Sequence, residues 1–287
     1  MTVCSPALTT LGGMTEPYAD DLALALTIAD AADAISLDRF MALDLVVEKK
    51  PDRTPVTDAD RAVEREIRDR LAEARPSDAI LGEEYGSAGD SVRQWIIDPI
   101  DGTANYLRGV PVWATLISLV VDGEPVVGVV SSPALGRRWW GALGQGAWTT
   151  DSTLAPASPA RRLAVSAVAR LDDASVSYNS LKGWDEAGRL DSLLSLSRGV
   201  WRTRAYGEMW SYMLVAEGAL DVAGEFDLQP YDMAALIPVI HEAGGRFTSI
   251  DGVPGPWSGS ALATNGLLHD EALRVLAEES SAPRVTR

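Results

Sequence analysis

Two carboxylates three residues apart, in Asp98-Pro-Ile-Asp101-Gly-Thr103, close an apolar run that starts at Trp95. A strand ending this way gathers two oxygen ligands at one point, with the Ile100 carbonyl as a further oxygen and the N–H groups of Gly102 and Thr103 beside them. Three more acidic features fall at predicted element ends: Asp60 in Val56-Thr-Asp-Ala-Asp60, Glu83-Glu84 after Ala79-Ile-Leu-Gly82, and Asp232 ahead of Met-Ala-Ala-Leu. Strand C-termini and helix N-termini are where ligand sites gather in α/β sheets. Oxygen ligands without thiol or imidazole partners suit Mg²⁺, Mn²⁺ or Ca²⁺. Carboxylates alone repel phosphate, whereas carboxylates holding divalent cations attract it. Taken singly, each feature has a plainer explanation: a turn at Asp98-Pro-Ile-Asp101, a solvated loop start at Glu83, a first-turn carboxylate at Asp60 and an N-cap at Asp232.

The rest of the 287-residue chain narrows the chemistry. A net charge of −16 argues against nucleic acid and anionic membranes as partners, so an anionic substrate needs local compensation. Cys4 is the only cysteine and His241 and His269 the only histidines, which excludes a disulfide or a thiol–imidazole metal cluster. No apolar run approaches ~20 residues and no secretory pattern opens the chain, so a cytoplasmic enzyme is expected, with Met14 as an alternative start.

The elements that must position these residues follow from periodicity. Pro17 opens a helix to about Met41, Leu43-Asp-Leu-Val-Val47 reads as a short strand, and Thr57 or Asp58 caps a helix to about Ala74. Strands follow at 79–82, 112–121, 126–130 and 137–144, and Asp122-Gly123 marks a hairpin within a four-residue connection. Beyond a low-complexity stretch at 151–161, strands near 174–178 and 200–203 alternate with helices near 187–197, 207–218, 231–243 and 266–279. The expected organisation is an α+β half (15–150) carrying most ligands and an α/β half (162–280) carrying Asp232, with tails at 1–14 and 281–287.

In order along the chain, Gly82-Glu83-Glu84, Asp98-Pro-Ile-Asp101-Gly-Thr103 and Tyr231-Asp232-Met-Ala-Ala resemble the inositol monophosphatase family. The resemblance implies a layered α-β-α-β-α fold and Mg²⁺-dependent phosphomonoester hydrolysis by a metal-activated water. It implies two to three ions, with Mn²⁺ as a substitute, held by Glu83, Asp98, the Ile100 carbonyl, Asp101 and Asp232. Thr103, Asp60 and Glu83 are the implied catalytic residues, with Thr103 taking the water's proton under polarisation by Asp60. The amides of Gly102 and Thr103, opening a helix, would hold phosphate oxygens. Lys50 either belongs to a loop covering the site or forms a solvated pair with Lys49, and a homodimer is implied, with Val110-Pro-Val-Trp113 as a candidate contact. Ala104 and Tyr231 depart from the family's usual polar residue and tryptophan, which bears on substrate detail and not on the ligands.

On the alcohol side, Glu225 matches a substrate-contacting position of the family, with a rim carboxylate as the plainer reading. Arg204 looks like a substrate-side arginine, with a surface ion-pair partner as the plainer reading. Within the family, Lys50-Pro-Asp-Arg-Thr-Pro, Arg108-Gly-Val-Pro-Val-Trp113, Arg137-Arg-Trp-Trp140 and Arg204-Ala-Tyr-Gly-Glu-Met-Trp210 resemble histidinol-phosphate phosphatases. A cationic aminoalcohol suits so acidic a chain better than a neutral polyol. An inositol or broad sugar-phosphate phosphatase, and a non-catalytic acidic metal-binding protein, are the alternatives.

Overall fold

The computed structural model describes residues 17–49, 55–153 and 159–277. Lys50, residues 154–158 of the expected boundary stretch, Met14 and the two expected tails lie outside them.

Helix α1 (Ala19–Arg39) buries Leu22, Ala25, Ile28, Ala29 and Ala32, a stripe at helical spacing. A short antiparallel pair, β1 (Val47–Lys49) and β2 (Pro55–Thr57), follows. The strand expected at 43–47 therefore starts at its last residue, because β2 offers partners only to 47–49, and Leu43 and Val46 stay exposed. Helix α2 (Asp58–Ala74) is capped by Thr57, whose hydroxyl accepts from the Ala59 and Asp60 amides while Asp60 accepts from the Thr57 amide. Its apolar stripe of Val63, Ile67 and Leu71 packs with α1 against the first sheet.

That sheet has eight strands: β3 (Ala79–Gly82), β4 (Gly86–Ala88), β5 (Arg93–Asp101), β6 (Ala114–Val121), β7 (Glu124–Ser132), β8 (Arg137–Ala142), β9 (Gly146–Asp151) and β10 (Arg161–Arg162), in the order β10-β9-β8-β7-β6-β5-β3-β4. All neighbours are antiparallel except β3 and β5. The β6–β7 connection is tighter than its four turn-forming residues suggest. Val121 pairs with Glu124, and Asp122 and Gly123 take φ of 52° and 86°, the left-handed pair that a two-residue hairpin requires. A five-residue helix α3 (Thr103–Leu107) follows β5.

The second sheet runs β12-β11-β13-β15-β14, from β11 (Ser175–Ser177), β12 (Arg202–Arg204), β13 (Val222–Phe226), β14 (Arg246–Thr248) and β15 (Ser260–Thr264). Strands β11, β12 and β13 are mutually parallel where they pair, and β15 is antiparallel to both its neighbours. Helices α4 (Leu181–Glu186), α5 (Leu190–Arg198) and α9 (His269–Ala277) cover its outer face around Val176, Val222 and Leu262. Helices α6 (Glu208–Ala216), α7 (Pro230–Met233) and α8 (Leu236–Glu242) are the remaining α-helices among the described residues. Apolar side chains of α6 and α8 join Leu116, Val130 and Trp139 of the first sheet to Ala223, Ala261 and Phe247 of the second in one core. The layers are thus α-β-α-β-α. Trp113 belongs to the interior, fully buried against Phe40 and Tyr106, so of Val110-Pro-Val-Trp113 only the first part faces solvent.

Candidate active site

The site begins where β3 and β5 end side by side. Being parallel, they deliver Glu83 and Asp98 to the same end of the sheet, and the Glu83 amide donates to the Ile97 carbonyl at 3.2 Å. Pro99 then removes a ladder donor and the β5–β6 register shifts between Asp98 and Asp101. Asp98 Oδ1 accepts from the Ile100 amide at 3.0 Å, which turns the chain so that Asp101 follows on the same side as the helix α3 start. Gly102 sits at φ 83°, a conformation that suits glycine.

Asp232 arrives from the second half on α7. Its carboxylate accepts from the Gln229 amide at 2.7 Å, reciprocating a cap by Gln229, and Pro230 fills the first helical turn. Oxygen atoms of Asp98, Asp101 and Asp232 come within 4.8 Å of one another. Burial, followed by the charges of Glu83, Asp101 and Asp232, holds Asp98 well above the usual carboxylate range. Burial and then Glu208 do the same to Asp101, and burial above all pushes Asp232 up to about 7. Acids converging with this mutual cost, and all presenting oxygen, fit a hard divalent cation.

Thr103 Oγ1 lies 3.2 Å from Asp60 Oδ1 and 3.1 Å from the Ile100 carbonyl. Asp60 is wholly buried, and burial raises its carboxyl despite the hydrogen bonds from Thr57.

Thr103 and the acids of the cluster, but not Asp60, line one cavity of about 380 Å³. Its floor is Glu83, Asp98, Ile100, Asp101, Gly102 and Thr103, with Glu208 close beside Gly102 and Asp101. The second half of the chain supplies a wall of Glu225, Asp227, Glu186 and Lys182 together with Asp232. Strands β11 and β13, also parallel, carry Asn179 and Glu225 to this end of the second sheet. Glu225 Oε1 accepts from Asn179 Nδ2 and from the Tyr212 hydroxyl, each at 2.7 Å, and burial pushes its carboxyl up to about 8.

Asp60 touches the site through Thr103. Arg204 is absent from the described lining; it is exposed on the edge strand β12, its guanidinium on the neighbouring Thr203 carbonyl at 2.7 Å. Two residues that sequence reasoning missed stand out. Glu208 opens α6 at φ 49°, accepts from Asn105 Nδ2 at 3.1 Å, and brings the Met209 amide to Asp101 Oδ2 at 2.9 Å. Asn179, at φ 50°, holds Glu225. Left-handed backbone at a non-glycine residue often marks a functional turn, but nothing in the sequence announces it.

Parallel-strand ends from two sheets face each other across a cluster of acids that could hold a cation, in a layered α-β-α-β-α frame. The chain belongs to the inositol monophosphatase family, which matches residues 19–281, and is a phosphatase of small phosphate esters. It is 58% identical over 263 residues to a histidinol-phosphatase of Streptomyces coelicolor, covering 90% of this chain and 97% of that protein. A histidinol-phosphatase of Mycobacterium tuberculosis is 57% identical over 255 residues, covering 88% and 96%. The solved structure of an inositol monophosphatase from Zymomonas mobilis superposes with a TM-score of 0.80 at 30% identity, covering 92% of this chain and 100% of that one. No described helix is long and apolar enough to cross a membrane.

Proposed function

We propose that this phosphatase hydrolyses L-histidinol phosphate to L-histidinol and phosphate, a step of histidine biosynthesis, as a cytoplasmic homodimer. Glu83, Asp98, the Ile100 carbonyl, Asp101 and Asp232 would hold two to three Mg²⁺, with Mn²⁺ as a substitute. Bound Mg²⁺ supplies Lewis acidity, offsetting phosphoryl charge and acidifying water. The chain's own groups do the rest. Thr103 Oγ1 receives the proton of the attacking water as its own proton moves to Asp60 Oδ1, and burial makes Asp60 a better base than an exposed aspartate. Gly102 and Thr103 amides steady the phosphoryl oxygens. The 15–150 half would bring most ligands and the 162–280 half Asp232 and the alcohol side.

One observation carries the substrate. Eight carboxylates line the cavity against a single lining cation among the described residues, Lys182, itself 3.3 Å from Glu186. Divalent ions can offset the carboxylates on the floor; Glu225 and Asp227 on the second-half wall remain for a cationic alcohol. The ammonium and imidazole of histidinol suit that wall, and neutral inositol gains nothing from it. The two histidinol-phosphatase relatives support the same substrate. Phosphate release from histidinol phosphate and inositol phosphate, measured side by side in Mg²⁺, tests it. Histidinol phosphate should be turned over at least tenfold faster in kcat/KM, a preference worth about 1.4 kcal/mol; equal or better turnover of inositol phosphate overturns it.

A further inference from the structure

Helix α2 carries two fully buried acids one turn apart, Asp60 and Glu64. Glu64 is outside the cavity lining and has no part in the chemistry above. Its Oε2 accepts the Glu84 amide at 2.7 Å, and its Oε1 accepts the Tyr85 amide at 3.2 Å and Arg68 Nε at 2.7 Å. Arg68 in turn donates to the Gly86 carbonyl. The main chain just after Glu83 is therefore tied to one ion pair on α2, while the Glu83 amide is tied to Ile97 in the sheet. Gly82 makes room for this. A Cβ there would lie 1.9 Å from Glu64 Oε1, so the carboxylate occupies the space a side chain would take.

A buried ion pair contributes little net stability compared with apolar residues of the same volume. Two amide acceptors from one rigid carboxylate do something else: they fix a backbone conformation. We infer that Glu64 is a positioning residue for Glu83, setting where the Glu83 carboxylate reaches the cation site, with Arg68 balancing its charge and Gly82 admitting it. The inference rests on Glu83 being a metal ligand. It also makes α2 the common mount for Asp60 and, through Glu64, for Glu83.

Calorimetric titration of the full chain with Mg²⁺ and Mn²⁺ tests this with Glu64→Gln, Gly82→Ala, Glu83→Gln and, as a core control, Leu71→Ala. Glu64→Gln keeps the shape but loses one acceptor and the charge facing Arg68; Gly82→Ala leaves every charge in place and displaces the carboxylate. Both should weaken metal binding about tenfold or more. They should raise the Mg²⁺ concentration for half-maximal phosphate release while kcat at saturating Mg²⁺ stays near wild type, and should speed hydrogen exchange at Glu84 and Tyr85. Leu71→Ala should lower Tm without changing metal affinity. If Glu64→Gln does not fold, Gly82→Ala decides. Wild-type affinity in Glu64→Gln and Gly82→Ala beside a weakened Glu83→Gln overturns the positioning role alone. Wild-type affinity in Glu83→Gln overturns the ligand assignment and the inference with it.

Discussion

The Thr103 hydroxyl has one proton and two acceptors, Asp60 Oδ1 at 3.2 Å and the Ile100 carbonyl at 3.1 Å. If the Ile100 carbonyl holds a cation as proposed, Asp60 is left as the acceptor a proton relay would use. Thr103→Ala should lower kcat by about 10²–10⁴ with metal affinity nearly unchanged, and Thr103→Ser should recover most of the loss. Asp60→Asn should resemble Thr103→Ala in kcat and still cap α2, since its amide oxygen can accept from Thr57. Steady-state phosphate release with a parallel melting curve separates rate from folding.

Asp101 combines burial, repulsion from Glu208 and Asp232, and one amide from Met209. Asp101→Asn relieves the repulsion and removes the charge of a proposed ligand. Hydrolysis should be abolished, and the metal-free variant should melt at or above the wild-type temperature. An unchanged rate would refute the metal assignment.

The same repulsion gives a pH signature. Asp232, at about 7, and Glu225, at about 8, lie above their ordinary values of 3.8 and 4.5 in the fold. The folded chain therefore binds more protons than the unfolded one between those limits, and metal-free stability falls as pH rises through 7 to 8. His269 acts oppositely. Buried between the Thr248 and Thr264 hydroxyls at 3.0 Å each, it is pushed from 6.5 down to about 4, so stability is lost as pH falls below 6.5. That loss reaches on the order of 3 kcal/mol near pH 4. Above pH 6.5 the acidic cluster acts without it. Metal-free Tm should decline from pH 6.5 to 8.5, saturating Mg²⁺ should flatten the decline, and the Mg²⁺-induced rise in Tm should grow with pH. Differential scanning calorimetry reads all three.

Glu225 is held by two neutral donors, Asn179 and Tyr212, and burial disfavours its charge until a cation arrives to offset it. Glu225→Gln should raise KM for histidinol phosphate about tenfold or more while changing that for a neutral phosphomonoester little. Equal effects on both would remove Glu225 from recognition of the cation.

The first half of the site was legible because its groups lie in short stretches with local causes. Thr57 is readable as an N-cap from residue type, and the structure completes it as a capping box with Asp60. The proline between Asp98 and Asp101, read as a turn, marks an irregularity within β5, which runs on to Asp101. The second half was less so. Strand β13 has Gly224 at its middle and β15 is Ser-Ala-Leu-Ala-Thr, so neither shows the alternation that betrays a strand; both are buried between layers. Glu208 and Asn179 owe their roles to left-handed turns and to partners far along the chain. Arg204 shows the converse: a suitable residue type in a suitable stretch, placed by the edge of the sheet on the outside.

Helix α8 meets the first sheet over two glycines. A Cβ on Gly128 would lie 2.1 Å from the Ala235 carbonyl oxygen, and one on Gly141 would lie 3.0 Å from that of Pro238. The Ser118 hydroxyl adds a hydrogen bond to the Ala234 carbonyl at 3.2 Å. Asp232 stands two residues before Ala234, so its height above Asp98 is gauged by one main chain resting on another. The distance between the two halves of the site is thus set partly where no side chain stands: a methyl group added at either glycine, neither of which lines the cavity, would act as a shim under the helix that follows Asp232.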